Sequence, residues 1–214
     1  QMPFWDRSLD IVVATHADAD HVSGLPPLLA RYEVGELWVA ETESDSAVYQ
    51  AVLDTAVERN IPVYRPQAGE TLLIEDGVRL EILHPAPNPA SDDRNDNSVS
   101  FRLVYDNFSL LLTGDAEEAG EREMLESGQP VQALVFKAGH HGAKNASNDF
   151  FLAAVQPQVV VVSAGAENRF GHPHPEMLER ATAVGATVLR TDELGTITLE
   201  TDGQHIWWWA EKRP

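Results

Sequence analysis

The sequence predicts an α/β fold in which mixed sheets carry helices on their outer faces. Strand-sized apolar runs rich in Val, Ile and Leu recur along the chain. Segments with helical periodicity lie between several of these runs, and such alternation indicates layers of strands and helices. The runs 101–105 and 108–112 are separated only by Asp106-Asn107, which predicts an antiparallel hairpin beside the β-α units.

The individual elements follow from these patterns in chain order. The predicted strands span residues 11–13, 37–39, 61–64, 80–83, 99–104, 110–112, 133–136, 159–162, 187–189 and 196–199. The predicted helices span residues 46–59, 117–126, 148–155 and 175–184. Residues 85–97 are rich in Pro, Asn, Asp and Ser, which is typical of an exposed loop that leads into a strand.

Length and composition limit the classes of protein to which the chain can belong. With 214 residues, 43% of them hydrophobic, we expect one domain over residues 1–214 with a substantial core. The apolar runs fall far short of the roughly 20 residues that a membrane-spanning helix needs. Cysteine is absent, which excludes disulfides and Cys-ligated metal sites. The formal charge of −19 opposes non-specific binding to nucleic acid.

Four potential metal ligands follow directly on the first predicted strand. His16, Asp18, Asp20 and His21 are separated by small alanines, which lets the loop curl around cations. His16 and Asp18 would face one cation, and Asp20 and His21 would face another. A solvated polar loop is the alternative interpretation, and the lack of interleaved Lys or Arg disfavours it.

Two later strand ends supply further candidates. Asp115 follows the run 110–112 and could bridge two cations, although Gly-Asp there is equally consistent with a turn or a helix N-cap. His140 and His141 lie between glycines after the run 133–136, so one imidazole can bind metal while the other contacts substrate. A buried His pair bonded to the backbone is the alternative. Side chains at strand ends commonly form the sites of α/β folds.

Together these motifs resemble the metallo-β-lactamase superfamily, in which a His-x-His-x-Asp-His loop after a strand precedes a later Asp and a late His. The second His of that signature is Asp18 here. With this departure, the Thr-Gly-Asp ending at Asp115, the Gly-His-His-Gly around His140 and the Gly-His-Pro-His-Pro around His172 resemble the metallo-hydrolase domain of the ComEC family of competence DNA-uptake channel proteins. Asn95-Asp96-Asn97-Ser98 fits that family and stands where other superfamily members have a third metal-binding His.

The resemblance implies a fold, a location and an activity. The fold would be an αββα sandwich whose first strands lie upstream of residue 1, in a larger bacterial membrane protein whose channel portion is a partner. The domain would lie on the extracytoplasmic side and act as a nuclease on the DNA strand that is not imported. Single-stranded DNA is therefore the expected substrate, and two divalent cations, Mn²⁺ or Zn²⁺, are the expected cofactors.

The predicted metal site divides its ligands between two cations that share a water. We expect His16, Asp18 and Asp115 at one cation. We expect Asp20, His21, Asp115 and His140 at the other. The carboxylate of Asp18 and the missing third His make the first position rich in oxygen, which favours Mn²⁺ there, while zinc suits the second.

The remaining candidates would act on the phosphodiester. The predicted catalytic residues are Asp20, which orients the attacking water, and Lys137 and His174, which contact phosphate or protonate the leaving group. A structural role is an equally good interpretation of His174. The predicted substrate-binding residues are Asn97, Ser98, His141, Asn145 and Ser147.

Two other functions are compatible with the sequence. A hydrolase of the same fold that acts on a small phosphodiester, an ester, a thioester or a lactam would suit the acidic composition better than a nuclease does. The second function is that of a non-catalytic module that binds DNA or a partner subunit. It is compatible with the sequence because the missing third His could prevent stable loading of two metals. A metal content well below one per chain would support the second.

Overall fold

The structure is a computed structural model that describes residues 2–3, 5–40, 44–74 and 77–212. Within these ranges, twelve strands form three sheets. The strands are β1 Ser8–Ala14, β2 Glu33–Val39, β3 Val63–Tyr64, β4 Thr71–Leu73, β5 Arg79–His84, β6 Ser100–Tyr105, β7 Phe108–Leu112, β8 Val135–Lys137, β9 Val159–Val162, β10 Thr187–Arg190, β11 Ile197–Thr201 and β12 Ile206–Ala210.

Short and medium helices connect the strands. A 3₁₀ helix spans Gly139–Gly142. The α-helices in the described ranges are α1 Ala19–Val22, α2 Leu25–Arg31, α3 Ala47–Glu58, α4 Glu118–Glu126, α5 Asp149–Val155, α6 Pro175–Ala183 and α7 Thr191–Leu194. Among the residues described, no helix combines the length and the apolar character that crossing a bilayer requires.

The strands form a small parallel sheet, a large mixed sheet and a separate ribbon. β1, β2 and β3 are parallel. The large sheet has the order β10-β9-β8-β7-β6-β5-β4, with parallel pairing from β7 to β10 and antiparallel pairing from β4 to β7. β11 and β12 form the antiparallel ribbon. The predicted hairpin of β6 and β7 and the mixed sheet are therefore confirmed.

The side chains of β1 show how the two larger sheets are layered. Val12 and Ala14 pack with residues of α1, α2 and α3 in one buried cluster. Ile11 and Val13, which alternate with them, pack in another cluster against Leu80 of the large sheet. The small sheet therefore has helices on one face and the large sheet on the other.

A third cluster covers the far face of the large sheet. Leu111 and Phe136 of that sheet pack against Met124 of α4, Phe151 of α5 and Met177 of α6. The order helix, sheet, sheet, helix is the αββα sandwich that the resemblance implies. The predicted fold class is thus confirmed.

Each predicted strand and helix overlaps an element of the structure, but β4 and β12 are not predicted by the sequence pattern. β4 is only three residues long. In β12, Trp207, Trp208 and Trp209 are all at least two-fifths exposed, so the strand lacks the alternation of apolar and polar residues that signals a half-buried strand.

Candidate metal centre

The loop that follows β1 carries the first ligands into the interior. His16 is buried, and its Nδ1 lies 3.0 Å from Thr15 Oγ1 and 3.3 Å from Ser98 Oγ. Asp18 is the N-cap of α1, and the single turn of that helix returns His21 to the same side. The rings of His16 and His21 are consequently 4.1 Å apart between centroids.

Asp115 lies at the centre of the site, just past the end of β7. Its Oδ2 is 3.2 Å from Nε2 of His21 and 3.9 Å from Nε2 of His16. The same oxygen is 3.7 Å from Nε2 of both His140 and His141. Only 3% of the Asp115 side chain is exposed, so this carboxylate is closed to bulk water. Four imidazoles therefore converge on a buried carboxylate.

The ligand atoms form two groups that share His21. His16, His21 and Asp115 make one group and Asp20, His21 and His141 make the other, with the atoms of each within 4.8 Å of one another. In the second group, His141 Nε2 lies 3.1 Å from His21 Nε2 and 3.6 Å from Asp20. The structure therefore places His141, which the sequence pattern assigned to substrate, beside Asp20 and His21.

The adjacent histidines of the 3₁₀ helix are oriented by different partners. His140 Nδ1 lies 2.8 Å from Glu117 Oε1. His141 Nδ1 donates to the carbonyl of Ser163 at 2.9 Å, so Nε2 is the ring nitrogen that faces His21. Both residues have positive φ, 45° and 54°, so the backbone itself turns the two rings toward Asp115.

The donor set fits divalent cations. His16 Nε2 and Asp115 Oδ1 are buried without a hydrogen-bond partner in the described part of the chain, an arrangement that is costly unless another group satisfies them. Imidazole nitrogen and carboxylate oxygen are the usual protein ligands of zinc and manganese. The partners on the Nδ1 atoms are the kind that hold ligand imidazoles in place.

The protonation states of the buried His16 and Asp115 also suit the binding of a divalent cation. Burial, reinforced by the nearby charge of His21, lowers the pKa of His16 to about 4, so the ring is neutral at pH 7. Burial alone would raise the pKa of Asp115, but the hydrogen bond from His21 and the charges of His21, Lys137 and His141 outweigh it and hold that pKa below its ordinary value. A neutral imidazole and an ionised carboxylate are the forms that bind metal.

Other predicted residues lie around this centre. Asp18 is partly exposed and its Oδ2 is 4.0 Å from His16 Nε2. Lys137 Nζ donates to the carbonyl of Gly114 at 3.4 Å, and burial lowers the pKa of the lysine. His174 is the N-cap of α6, with its ring 5.2 Å from that of His172.

Three predicted substrate-binding residues are buried beneath the ligands. Ser98 Oγ accepts the N–H of Asp115 at 3.1 Å. The amide of Asn97 donates to Ser91, and Ser147 Oγ accepts the N–H of Gly139. Ser98 and Ser147 thus support the loops that carry Asp115 and the two histidines, whereas Asn145 is exposed on the loop after the 3₁₀ helix.

The sequence pattern did not single out two residues that the structure places at the rim. The ring of His172 lies 5.6 Å from that of His140 and 6.4 Å from that of His141. Arg94 Nη1 lies 3.4 Å from Asp18 Oδ1. The motif that contains His172 was recognised, but its spacing does not show which of its two histidines faces the site.

Glu121 of α4 supports the loop that carries the histidines. Its carboxylate accepts the backbone N–H of Ser147, and from Asn148 it accepts the backbone N–H at 3.1 Å and the side-chain amide at 2.8 Å. Burial raises the pKa of Glu121 to about 7, even though these hydrogen bonds and Arg180 favour the charged form.

We expect Glu121→Gln to change how stability depends on pH. The folded protein holds a proton on Glu121 more tightly than the unfolded chain does, so this group's contribution to the free energy of unfolding falls by roughly 3 kcal/mol as pH rises from about 4.5 to about 7. The variant lacks this contribution. Denaturant titrations of the metal-free parent and variant across that pH range measure the free energy of unfolding of each protein. Subtracting one from the other cancels the contributions of the other titrating groups. A difference that does not change with pH would contradict the assignment.

Comparison with known proteins identifies the class. The profile of the metallo-beta-lactamase superfamily matches residues 6–166. The chain belongs to this superfamily, as its αββα layers and its cluster of His and Asp ligands indicate. The resemblance inferred from the sequence is thereby confirmed.

Two relatives within that class are competence proteins. The chain is 34% identical to ComE operon protein 3 of Bacillus subtilis (strain 168) over 192 residues, 89% of this chain and 24% of that protein. It is 31% identical to Competence protein ComA of Neisseria gonorrhoeae, over 89% of this chain and 25% of that protein. The chain thus spans about a quarter of the length of either relative.

A solved structure agrees in fold. The metallo-beta-lactamase fold protein YhfI from Bacillus subtilis superposes with a TM-score of 0.54 over 94% of this chain and 78% of that chain. The sequence identity is 11%, so this likeness concerns the fold alone.

Proposed function

We propose that the chain is a metal-dependent nuclease that cleaves phosphodiester bonds in single-stranded DNA. The observation that carries the proposal is the convergence of four imidazoles on Asp115, where His16 Nε2 and Asp115 Oδ1 are buried without a hydrogen-bond partner among the described residues. The chain belongs to the metallo-beta-lactamase superfamily, and the name of one relative, Competence protein ComA, refers to competence. Competence requires the handling of incoming DNA, which favours a DNA strand as the substrate.

The residues would hold two divalent cations. We assign one cation to His16, Asp18 and Asp115, and the other to Asp20, His21 and His141 with Asp115 shared. His141 replaces the predicted His140 in this proposal because its Nε2 lies 3.1 Å from His21 Nε2 and 3.6 Å from Asp20, whereas His140 belongs to neither ligand group of the described residues. When bound, such a pair lowers the pKa of a shared water and stabilises charge on the attacking and leaving oxygens.

The surrounding side chains would perform the remaining steps. Asp20, which is 63% exposed, can accept the proton of the attacking water from the open side of the site. Lys137, behind Gly114, adds positive charge beside Asp115. His172 lies at the rim, with the ring of His174 5.2 Å from its own, and an imidazole N–H there can donate to the leaving oxygen.

The location of the chain is also part of the proposal. We propose that the chain forms one domain of a larger bacterial membrane protein, works beside that protein's channel portion on the extracytoplasmic side, and degrades the strand that is not imported. The net charge of −19 would repel DNA in the absence of cations. Two bound divalent cations, together with Arg94 at Asp18, reduce that repulsion where the strand has to approach.

Replacing either predicted carboxylate of the first loop tests the proposal. We expect Asp18→Ala and Asp20→Ala to cleave single-stranded DNA in the presence of Mn²⁺ at below about 1% of the parent rate, since even the loss of a group that orients a ligand costs 10- to 100-fold. Asp54→Ala, which removes an exposed carboxylate of α3 that bonds only locally to Gln50, is the matched control. Cleavage by either site variant at the parent rate would refute the assignment.

The acidic composition supports a second candidate, a hydrolase of small phosphodiesters or esters. Such a substrate carries less charge and would be repelled less than a DNA strand. A screen of the metal-loaded protein against DNA and small diesters separates the two functions. A non-catalytic binding module would instead hydrolyse nothing and contain well below one metal per chain.

A further inference from the structure

A cavity of about 270 Å³ opens beside the metal centre. Asp20 and His141 form the wall that it shares with the centre. The opposite wall is the segment after β9, which contributes Asn168, Phe170 and His172. A molecule bound at the ligands therefore has room to extend in this direction.

Flat side chains line the path from the centre into the cavity. The rings of His141 and His172 are nearly parallel, with an interplanar angle of 19° and 6.4 Å between centroids. The ring of Phe170 lies 5.8 Å further on, at 24° to His172. Phe170 is 59% exposed, and the guanidinium of Arg169 lies 4.9 Å from its ring centroid. The exposed guanidinium of Arg169 lies over this ring, so a planar ligand would stack on Phe170 by displacing that cation, which would then stay close to the ligand's negative charge.

Asn168 holds this platform in place. Its side-chain oxygen accepts the N–H groups of Phe170 at 3.2 Å and His172 at 2.9 Å. Its side-chain nitrogen donates to the carbonyls of Gly165 and His172. All four hydrogen-bonding positions of the amide are thus used by the backbone. Asn168 fixes the loop but has no group left with which to recognise a ligand.

We infer that this cavity binds one nucleobase of the strand whose phosphodiester lies at the metal centre, stacked on Phe170, an inference that rests on the proposed function. In a nucleic acid, only one sugar separates each phosphate from a base. The cavity begins at His141, which belongs to the ligand cluster, so a base next to a phosphate at the metal centre lies close to the cavity. Stacking on an aromatic side chain is tolerant of sequence, because every base has a π-face. Since Asn168 is saturated, its side chain should not discriminate between the bases.

The test compares strands with and without bases. Single-stranded oligonucleotides with phosphorothioate linkages, which are hydrolysed more slowly than phosphodiesters, are bound to the Mn²⁺-loaded protein, and fluorescence anisotropy is read before any cleavage occurs. One strand is oligothymidine, and the other is an abasic strand of the same length. Phe170→Ala removes the platform and Phe170→Trp preserves it. Leu73→Ala, which truncates an exposed apolar side chain of β4, is the control.

We expect Phe170→Ala to weaken binding of oligothymidine by about 5- to 100-fold and to leave binding of the abasic strand unchanged. Phe170→Trp and Leu73→Ala should bind both strands as the parent does. Equal effects of Phe170→Ala on both strands, or no effect on either, would overturn the base subsite.

A parallel cleavage assay with ordinary phosphodiester linkages separates this inference from the proposed function. If the parent cleaves neither strand but prefers the strand with bases through Phe170, the nuclease proposal fails and the base subsite stands. If the parent cleaves DNA and Phe170→Ala does so with an unchanged KM, the nuclease proposal stands and the base subsite is refuted.

Discussion

Asp115→Asn is expected to abolish hydrolysis while leaving the fold intact. The amide has the same shape as the carboxylate and lacks the negative charge that four imidazole Nε2 atoms face at 3.2 to 3.9 Å. Both proposed cations depend on it. Because the loss of a group that merely orients a ligand costs 10- to 100-fold, we expect more than about 100-fold loss of both metal affinity and activity.

The measurement is metal binding by calorimetry together with DNA cleavage in Mn²⁺. Asp54→Asn makes the same chemical change at an exposed position of α3 and should match the parent in both assays. Thermal unfolding without metal controls for the fold. An Asp115→Asn protein that folds, binds metal as tightly as the parent and cleaves DNA at the same rate would show that this carboxylate is not shared by the cations.

Gly114→Ala is expected to give the largest loss of stability among substitutions at the site. Gly114 has φ of +56°, and a Cβ there would lie 2.7 Å from Ser98 Cβ and 2.8 Å from Ser98 Oγ. Ser98 is fully buried and its hydroxyl accepts the N–H of Asp115, so it cannot move without displacing that ligand. A left-handed conformation costs an L-residue roughly 1–2 kcal/mol, and overpacking adds about 1–3 kcal/mol.

Gly128→Ala is the matched control for the steric part of this effect. Gly128 also has positive φ, +73°, but no atom lies within 4 Å of the position of its Cβ. This variant should lose about 1 kcal/mol of unfolding free energy, and Gly114→Ala about 2–5 kcal/mol, in denaturant titrations of the metal-free proteins. Equal losses would mean that the contact between Gly114 and Ser98 does not constrain the site.

The fold was largely accessible from the sequence because hydrophobic periodicity reports burial directly. Val12 and Ile11 illustrate the reason: adjacent apolar residues in β1 face different buried clusters, and such runs occur only in strands covered on both sides. The exposed tryptophans of β12 carry no such signal. β12 is a strand because it pairs with β11. The residue pattern of either segment alone does not reveal this pairing.

The site was accessible only in part. The ligands His16, Asp20 and His21 share one short loop, so their proximity is local, and the sequence indicates it. The choice between His140 and His141 depends on Glu117 and the carbonyl of Ser163, which come from other elements. For the same reason, the sequence pattern predicted that Ser147 binds substrate, whereas in the folded chain it is buried and its hydroxyl accepts the N–H of Gly139.

The central claim is that the loops after β1, β7 and β8 jointly hold two divalent cations. Elemental analysis of the protein, loaded with Mn²⁺ or Zn²⁺ and freed of unbound metal by gel filtration, tests it most directly. We expect two metal ions per chain in the parent and a clear loss in Asp115→Asn. A parent protein that retains well below one metal ion per chain, with the same content in the variant, would contradict the claim.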